Sequence, residues 1–246
     1  MTKKLKFIRI IVQILFLILT LLSIRLSNTL TAKLTIFSIS FFIGTYYCGW
    51  ICAFGTIQSF IREFGKRYLN QTLVIPEKYN KIMLYFRYVT LFLSLTYITT
   101  VADGRKTFLA LIAGKPVTYS LIGIMSSFLF LSLFIDRPFC KYICPEGARY
   151  GIIGLSRIFT ITRNQETCIN CNQCTKSCPM GIDVAKVNSL NLPHCISCGE
   201  CIIKCPKEKT LAIKLRNFKN PSTFIFFALG IYFLYNTINF TIKRFG

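Results

Sequence analysis

The stretches CINCNQCTKSCP, residues 168–179, and CISCGECIIKCP, residues 195–206, repeat one cysteine spacing. In each stretch, two-residue gaps separate three cysteines, and a fourth cysteine follows after three more residues, directly before a proline. This spacing is an iron–sulfur signature. The short gaps let a tight loop present three sulfurs to one cluster, and the proline turns the chain away from it. We therefore predict a small α+β segment organised around two 4Fe–4S clusters.

The fourth cysteine of each motif decides how the ligands are shared. In the two-cluster form of this pattern, it binds the cluster of the other motif. The predicted ligands of cluster 1 are Cys168, Cys171, Cys174 and Cys205. The predicted ligands of cluster 2 are Cys195, Cys198, Cys201 and Cys178. A pair of zinc sites is the alternative, but zinc takes its four ligands as two pairs, and here three closely spaced cysteines recur.

A second repeat lies upstream, in YCGWICAFG, residues 47–55, and FCKYICPEG, residues 139–147. Each copy holds two cysteines four residues apart, a spacing that places both on one face of a helix. Two such helices could present four sulfurs to a common centre, from Cys48, Cys52, Cys140 and Cys144. Three interpretations stay open: a third redox metal centre, with an iron–sulfur centre as the leading form, a redox-active dithiol system, or cysteines that pack as small hydrophobic residues. The repeated aromatic and glycine frame disfavours the last, and four thiolates favour a metal.

The composition indicates a membrane protein. Hydrophobic residues make up 53% of the 246 residues, and the formal net charge is +21. Apolar runs near the length of a membrane-crossing helix cover residues 10–26, 34–54, 82–101, 117–135 and 222–240. The predicted fold is an α-helical polytopic membrane protein with about five transmembrane helices and the inserted α+β segment. No basic stretch outside these runs is interleaved with base-stacking aromatic residues, which argues against a nucleic-acid partner.

The positive residues predict an orientation in the cytoplasmic membrane. Segments 1–9, 62–81 and 137–218 hold most of the Lys and Arg residues, which favours the inner side for them. The N-terminus and the cysteine-rich segment are then cytoplasmic and the C-terminus is outside. A reducing compartment agrees with cysteines that stay free to bind clusters. The predicted domains are a membrane domain over 1–162, the double-cluster domain over 163–218, and a final transmembrane helix with a short tail over 219–246.

Two polar residues are of interest besides the cysteines. Arg87 lies inside the third apolar run, where an arginine either extends to the interface or faces an anionic centre. His194, which precedes Cys195, is the only histidine. We expect an exposed loop residue there, with a hydrogen bond that tunes cluster 2 as the alternative.

The cysteine motifs resemble a known family. Residues 163–210 are similar to a bacterial-type double 4Fe–4S ferredoxin domain. Residues 30–210 as a whole resemble the membrane-bound polyferredoxin proteins of the NapH, NosR and CcoG type, on the strength of CGWICAFG and CKYICPEGA. One departure is Ala53, which stands where the first motif of that family usually has proline.

The resemblance implies electron transfer through the two clusters and the four upstream cysteines. It implies quinol or a cytoplasmic donor at one end, a partner redox protein at the other, and a role as the electron-transfer subunit of a quinol dehydrogenase or other oxidoreductase complex. Quinone is a further cofactor that it implies, and membrane lipid and other membrane subunits are partners. No residue is assigned general acid or base catalysis. The CcoG resemblance gives an alternative function, a copper reductase or assembly factor for a respiratory oxidase, although the four Met residues and the single His are not clustered.

The end of the cysteine-rich segment is basic, with Lys204, Lys207 and Lys209 close together. This charge predicts either docking of an acidic electron carrier or a solvated face beside anionic lipid.

Overall fold

The computed structural model describes residues 2–23, 45–69, 73, 75–95, 104–207 and 209–215, together with the single positions 228, 231, 232 and 235. The fifth predicted span and the C-terminal tail therefore lie almost entirely outside the described residues. The same holds for the first half of the second predicted span.

The first part of the chain is helical. The helices are α1 (Thr2–Ser23), a π-helix (Tyr47–Ile51), α2 (Ala53–Tyr68), α3 (Glu77–Leu95), α4 (Gly104–Ile112), α5 (Tyr119–Leu131), α6 (Pro138–Tyr142) and α7 (Pro145–Ile153). Helix α1 packs against the π-helix and α2, α3 packs against α6 and α7, and α4 packs against α5. Because α3 contacts both α6 and α7, it supports the second copy of the upstream repeat.

The predicted fold of a polytopic membrane protein with about five transmembrane helices is wrong. Among the residues that the structure describes, no helix has both the length and the apolar character that a membrane span requires. The fourth apolar run forms α5, which has only 13 residues against the roughly 20 that cross a bilayer. The third run contains Arg87, and Arg9 directly precedes the first run. Both arginines are buried against the cysteine-rich segment. The hydropathy pattern alone cannot reveal these polar contacts within the protein.

The cysteine-rich segment is a small α+β unit closed by two strands. Strand β1 (Phe159–Arg163) pairs antiparallel with β2 (Leu211–Leu215), so that Phe159 lies opposite Leu215. Between the strands lie a short 3₁₀ helix (Val184–Lys186) and one turn of helix in each cysteine motif, α8 (Gln173–Lys176) and α9 (Glu200–Ile203). The core of the unit combines buried cysteines with the apolar residues Ile161, Met180, Val184, Leu190 and Leu211. Since β1 and β2 flank both motifs, their pairing brings the start and the end of the segment together.

The upstream repeat changes backbone conformation at its second cysteine in both copies, so the two cysteines of a copy do not lie on one helical face. Cys48 lies in the π-helix and Cys140 in α6, whereas Cys52 and Cys144 are extended residues that precede α2 and α7. Their dihedral angles nearly coincide, with φ −60° and ψ 110° at Cys52 and φ −59° and ψ 111° at Cys144. The helix therefore breaks at the second cysteine in both copies, with Pro145 after one break and Ala53 after the other.

Candidate functional site

The cysteine motifs form two loops with the same irregular backbone. The residue before the second cysteine of each motif, Asn170 or Ser197, has a left-handed conformation, with φ of 53° or 51°. The residue after that cysteine, Asn172 or Gly199, is left-handed as well, with φ of 57° or 74°. Asparagine and glycine adopt this conformation with little strain. Loops of this kind turn successive backbone N–H groups toward one point, which suits an anionic group.

Each loop lines one hollow, and each hollow holds cysteines of both motifs. The lining of hollow 1 includes Cys168, Cys171, Cys174 and Cys205. The lining of hollow 2 includes Cys178, Cys195, Cys198 and Cys201. The structure thus brings together the same two crossed sets that the spacing predicts. The assignment of these cysteines as ligands stays a prediction.

The donor set of both hollows fits an iron–sulfur cluster. Hollow 2 is lined by four cysteines, by apolar residues and by Glu200, whose carboxylate pairs with Arg9 at 2.6 Å. Sulfur is the ligand that 4Fe–4S clusters require. Among the described residues, no group of three or more Cys, His, Asp or Glu side chains is arranged to hold a single metal ion. When bound, a 4Fe–4S cluster takes up and releases one electron at a time.

The two hollows differ in exposure and in the acidity of their thiols. Burial raises the pKa of Cys178 to about 12 and also raises the pKa of Cys198 and Cys201. At hollow 1, Cys171 is exposed, and a backbone hydrogen bond at Asn170 lowers the pKa of Cys168. The thiols of Cys178, Cys198 and Cys201 are therefore neutral at pH 7 when no cluster is bound, and their ligation must release protons.

Polar side chains from the helical part hold the loop of hollow 2 by its backbone carbonyls. The bonds run from Arg9 Nη1 to Cys198 O (3.2 Å), from Trp50 Nε1 to Ser197 O (3.0 Å), from Arg157 Nη2 to Leu192 O (2.7 Å), from Arg87 Nη2 to Pro193 O (2.8 Å), and from Thr45 Oγ1 to Cys195 O. Sequence reasoning missed Arg9, Thr45, Trp50 and Arg157. One feature of the sequence could have identified Arg9, namely its position as a charged residue beside an otherwise apolar run.

Arg87 joins the loop of hollow 2 to the upstream repeat. Its Nη2 atom donates to Gly147 O at 2.9 Å as well as to Pro193 O, and the side chain is 1% exposed. The guanidinium carbon of Arg87 lies over the ring of Tyr88, 5.3 Å from the ring centroid. Arg87 is therefore buried in the protein, where it binds two backbone carbonyls rather than extending to an interface.

We expect Arg87→Met to destabilise the protein by about 3 kcal/mol, because two buried carbonyls lose a charged donor. The check is the free energy of unfolding from urea titration under anaerobic conditions. The matched control is Arg149→Met, since Arg149 is 42% exposed and pairs with Glu146 on the same helix. A loss below about 1 kcal/mol is expected for the control. Equal losses in the two variants would contradict the role given to Arg87.

His194 is more enclosed than an exposed loop residue. Its ring packs edge-on against Tyr85 and Tyr88, at centroid distances of 5.6 and 5.7 Å. Burial, with a smaller contribution from the charge on Arg87, lowers the pKa of His194 to about 4. The imidazole is therefore neutral at pH 7 and adds no charge beside Cys195.

The four upstream cysteines, which we call the four-cysteine site, lie at one place. Cys52 and Cys144 share a buried apolar cluster with Met125 and Phe139, against which Cys140 packs. Burial raises the pKa of Cys140, and charge on Cys144, Cys52 or Cys48 raises it further, so the other three thiols lie within electrostatic range of Cys140. The backbone N–H of Gly147 donates to Cys144 Sγ at 3.4 Å.

The four-cysteine site adjoins hollow 2 through Gly49. A Cβ atom at Gly49 would lie 2.5 Å from Ile196 O and 3.2 Å from the Cα atom of Cys198. Cys48 itself packs against the core of the cysteine-rich segment. The upstream repeat and the loop of hollow 2 are therefore in direct backbone contact.

Comparison with known families agrees with this arrangement. The family described as 4Fe-4S dicluster domain matches residues 160–206. The family described as 4Fe-4S binding domain matches residues 28–70 and 117–162, which contain the two copies of the upstream repeat. An uncharacterized protein of Methanocaldococcus jannaschii, MJ0750, is 30% identical over 64% of this chain and 68% of its own length. The chain belongs to a polyferredoxin-type family of electron-transfer proteins.

This chain matches only part of the length of two further relatives. A second uncharacterized protein of M. jannaschii, MJ0749, is 28% identical over 66% of this chain and 62% of its own length. The putative electron transport protein YccM of Escherichia coli is 31% identical over 61% of this chain and 45% of its own length. The chain thus spans less than two thirds of these two relatives. No solved structure matches it.

The predicted resemblance to the NapH and NosR type is confirmed, because proteins with both names match the chain. The prediction of two 4Fe–4S clusters is also confirmed. This polyferredoxin therefore binds two 4Fe–4S clusters and has an iron–sulfur electron-transfer role. Four points stay predictions: the resemblance to CcoG, the copper function, the quinone cofactor and the cytoplasmic location of the cysteines.

Proposed function

We propose that this polyferredoxin relays single electrons between an external redox protein and the four-cysteine site, through cluster 1 and then cluster 2. The observation that carries this order is the contact of Gly49 with the loop of hollow 2. At hollow 1, Cys171 is exposed, with no comparable cover from the residues that the structure describes. An electron that enters at hollow 1 therefore has a path inward, from the surface to a buried pair of neighbouring sites.

The surface near hollow 1 supports an acidic redox protein as the partner. Lys207 lines hollow 1 and is exposed, as are Lys204 and Lys209. Ile169 is 58% exposed beside Cys168 and offers an apolar contact. A positive surface speeds the encounter with an acidic partner at low ionic strength, and apolar contacts near the redox centre hold the complex.

The test of the relay is the rate at which a reduced acidic ferredoxin reduces cluster 2, followed by stopped-flow absorbance. We expect Cys171→Ala, which removes a ligand that only cluster 1 uses, to slow this reduction strongly. Reduction by a small viologen radical should continue at the rate of the unaltered protein, since it does not depend on docking. Raising the salt concentration should slow the ferredoxin reaction of the unaltered protein, because salt screens the charges.

The matched control is the double variant Cys48→Ala/Cys140→Ala, in which both clusters should be reduced at the rate of the unaltered protein. The proposed order would be contradicted if ferredoxin reduced cluster 2 equally fast with and without cluster 1. The same control examines the four-cysteine site. A loss of about four irons per chain would make it a third iron–sulfur centre, whereas an unchanged iron content leaves the dithiol and packing interpretations.

A further inference from the structure

An arginine side chain contacts a predicted ligand of cluster 1 directly. Arg163 belongs to the lining of hollow 1, and its Nη1 atom donates to Cys168 Sγ at 3.4 Å. Its Nε atom is buried and has no hydrogen-bond partner in the part of the chain that the structure describes. No ion pair joins Arg163 to a carboxylate among the same residues. The positive charge of Arg163 therefore lies at a sulfur of hollow 1.

The backbone around Arg163 fixes the start of its side chain beside hollow 1. Arg163 is the last residue of β1, and it pairs with Leu211, which also lines hollow 1. Its N–H donates to Asn188 O at 2.8 Å, so a second segment is bonded to the same residue. Two neighbouring segments therefore hold the backbone of Arg163 at the place from which its side chain reaches Cys168.

The equivalent position of the second cysteine motif holds a leucine. Arg163 precedes Cys168 by five residues, and Leu190 precedes Cys195 by the same number. Leu190 lines hollow 2, is 3% exposed and is bonded to β1 as well, since its N–H donates to Ile161 O at 2.8 Å. At hollow 2, no side chain of the described residues donates to a cysteine sulfur, and the arginines beside it bond to backbone carbonyls of its loop. The two motifs thus differ at this position by one charged donor.

We propose that Arg163 is a positioning residue whose positive charge, held at Cys168 Sγ, raises the midpoint potential of cluster 1. One-electron reduction adds a negative charge to a cluster whose ligands are thiolates. A hydrogen bond to a ligand sulfur and a positive charge close to it both stabilise that added charge. The electron comes from an external reductant, and Arg163 neither gains nor loses a proton, since guanidinium stays charged. Cys168 belongs to the same cluster as Cys171 whether or not the two motifs exchange their fourth ligands, so the inference does not depend on the crossed sets.

The test is an EPR-monitored redox titration of full-length protein. Cluster 1 is measured in the Cys198→Ala background, and cluster 2 in the Cys171→Ala background. We expect Arg163→Leu, which copies the residue of the second motif, to shift the midpoint potential of cluster 1 to a more negative value and to leave that of cluster 2 unchanged. Arg163→Lys should restore most of the shift, because it returns the charge. Lys214→Gln, which removes an exposed positive charge from the paired strand β2, should shift neither potential.

An unchanged potential of cluster 1 in an Arg163→Leu protein that holds its normal iron would overturn the proposal. An Arg163→Lys potential as negative as that of Arg163→Leu would overturn it as well. Arg163→Gln supplies a second neutral variant, which keeps a polar N–H group without the charge. If both neutral variants lose cluster 1 while Arg163→Lys retains it, the need for the charge is supported. If Arg163→Lys loses it too, shape rather than charge is required and the proposal is wrong. The potentials are measured without a protein donor, so this inference and the proposed relay can fail separately.

Discussion

Replacing Cys178 and Cys198 together is expected to remove about four irons per chain, no more than either single replacement removes, because both belong to the lining of hollow 2. Replacing Cys178 and Cys171 together should remove about eight, because these residues line different hollows. The variants are Cys→Ala throughout, and the measurement is iron and acid-labile sulfide per chain in anaerobically purified protein.

The two double variants control each other, because both remove two cysteines. If each motif bound its own cluster with its own four cysteines, the results would exchange. The Cys178 and Cys171 pair would then lose about four irons and the Cys178 and Cys198 pair about eight. That exchange would contradict the crossed sets. Iron held at the four-cysteine site does not affect the comparison, since it adds the same amount to every variant.

Gly49→Ala is expected to destabilise the protein by about 1–3 kcal/mol, the usual effect of an added methyl group in a filled space. The new Cβ atom would meet the backbone of Ile196 at 2.5 Å and the Cβ atom of Cys198 at 3.3 Å. Because backbone atoms cannot rotate away, the upstream repeat must separate from the loop of hollow 2. Thermal unfolding followed by circular dichroism gives the stability, and the rate at which air bleaches the visible absorbance gives the exposure of cluster 2.

The matched control is Gly123→Ala, in the exposed middle of α5, where no atom of the described residues lies within 4 Å of the added methyl group. Alanine favours a helix over glycine by roughly 0.5–1 kcal/mol, so this variant should keep or gain stability. Both variants add the same single methyl group. Equal stability of the two would show that Gly49 does not sit against the loop as tightly as its contacts indicate, and the proposed path to the four-cysteine site would lose its support.

The sequence could predict the cysteine sets that line the two hollows because the spacing of cluster ligands is encoded over short distances. Three ligands of each set lie within seven residues, and the fourth comes from a motif of the same spacing. The upstream repeat was also visible, because its frame of aromatic residues, cysteines and glycine recurs without gaps. The backbone of the repeat was not visible in the sequence. A four-residue spacing suits a helix, whereas the extended conformation of Cys52 and Cys144 depends on the residues packed around them.

The prediction of a membrane fold was wrong for a related reason. Hydropathy records the apolar character of a run, but it records neither the length of the helix that forms there nor the polar contacts of the residues within it. In α3, Arg87 is buried because Gly147 O and Pro193 O accept its hydrogen bonds, and those carbonyls are 60 and 106 residues away. Nothing within the run itself identifies such partners.

The sequence by itself thus determined the cofactor chemistry and the family, which follow from residue types at short, fixed spacings, and from the same spacings it predicts the pairing of the two motifs. Only the tertiary structure placed the four-cysteine site beside hollow 2. This placement depends on contacts such as the hydrogen bond from Trp50 to Ser197 O, 147 residues apart in the chain. Burial and long-range hydrogen bonds are properties of the packed molecule, and local sequence carries no record of them.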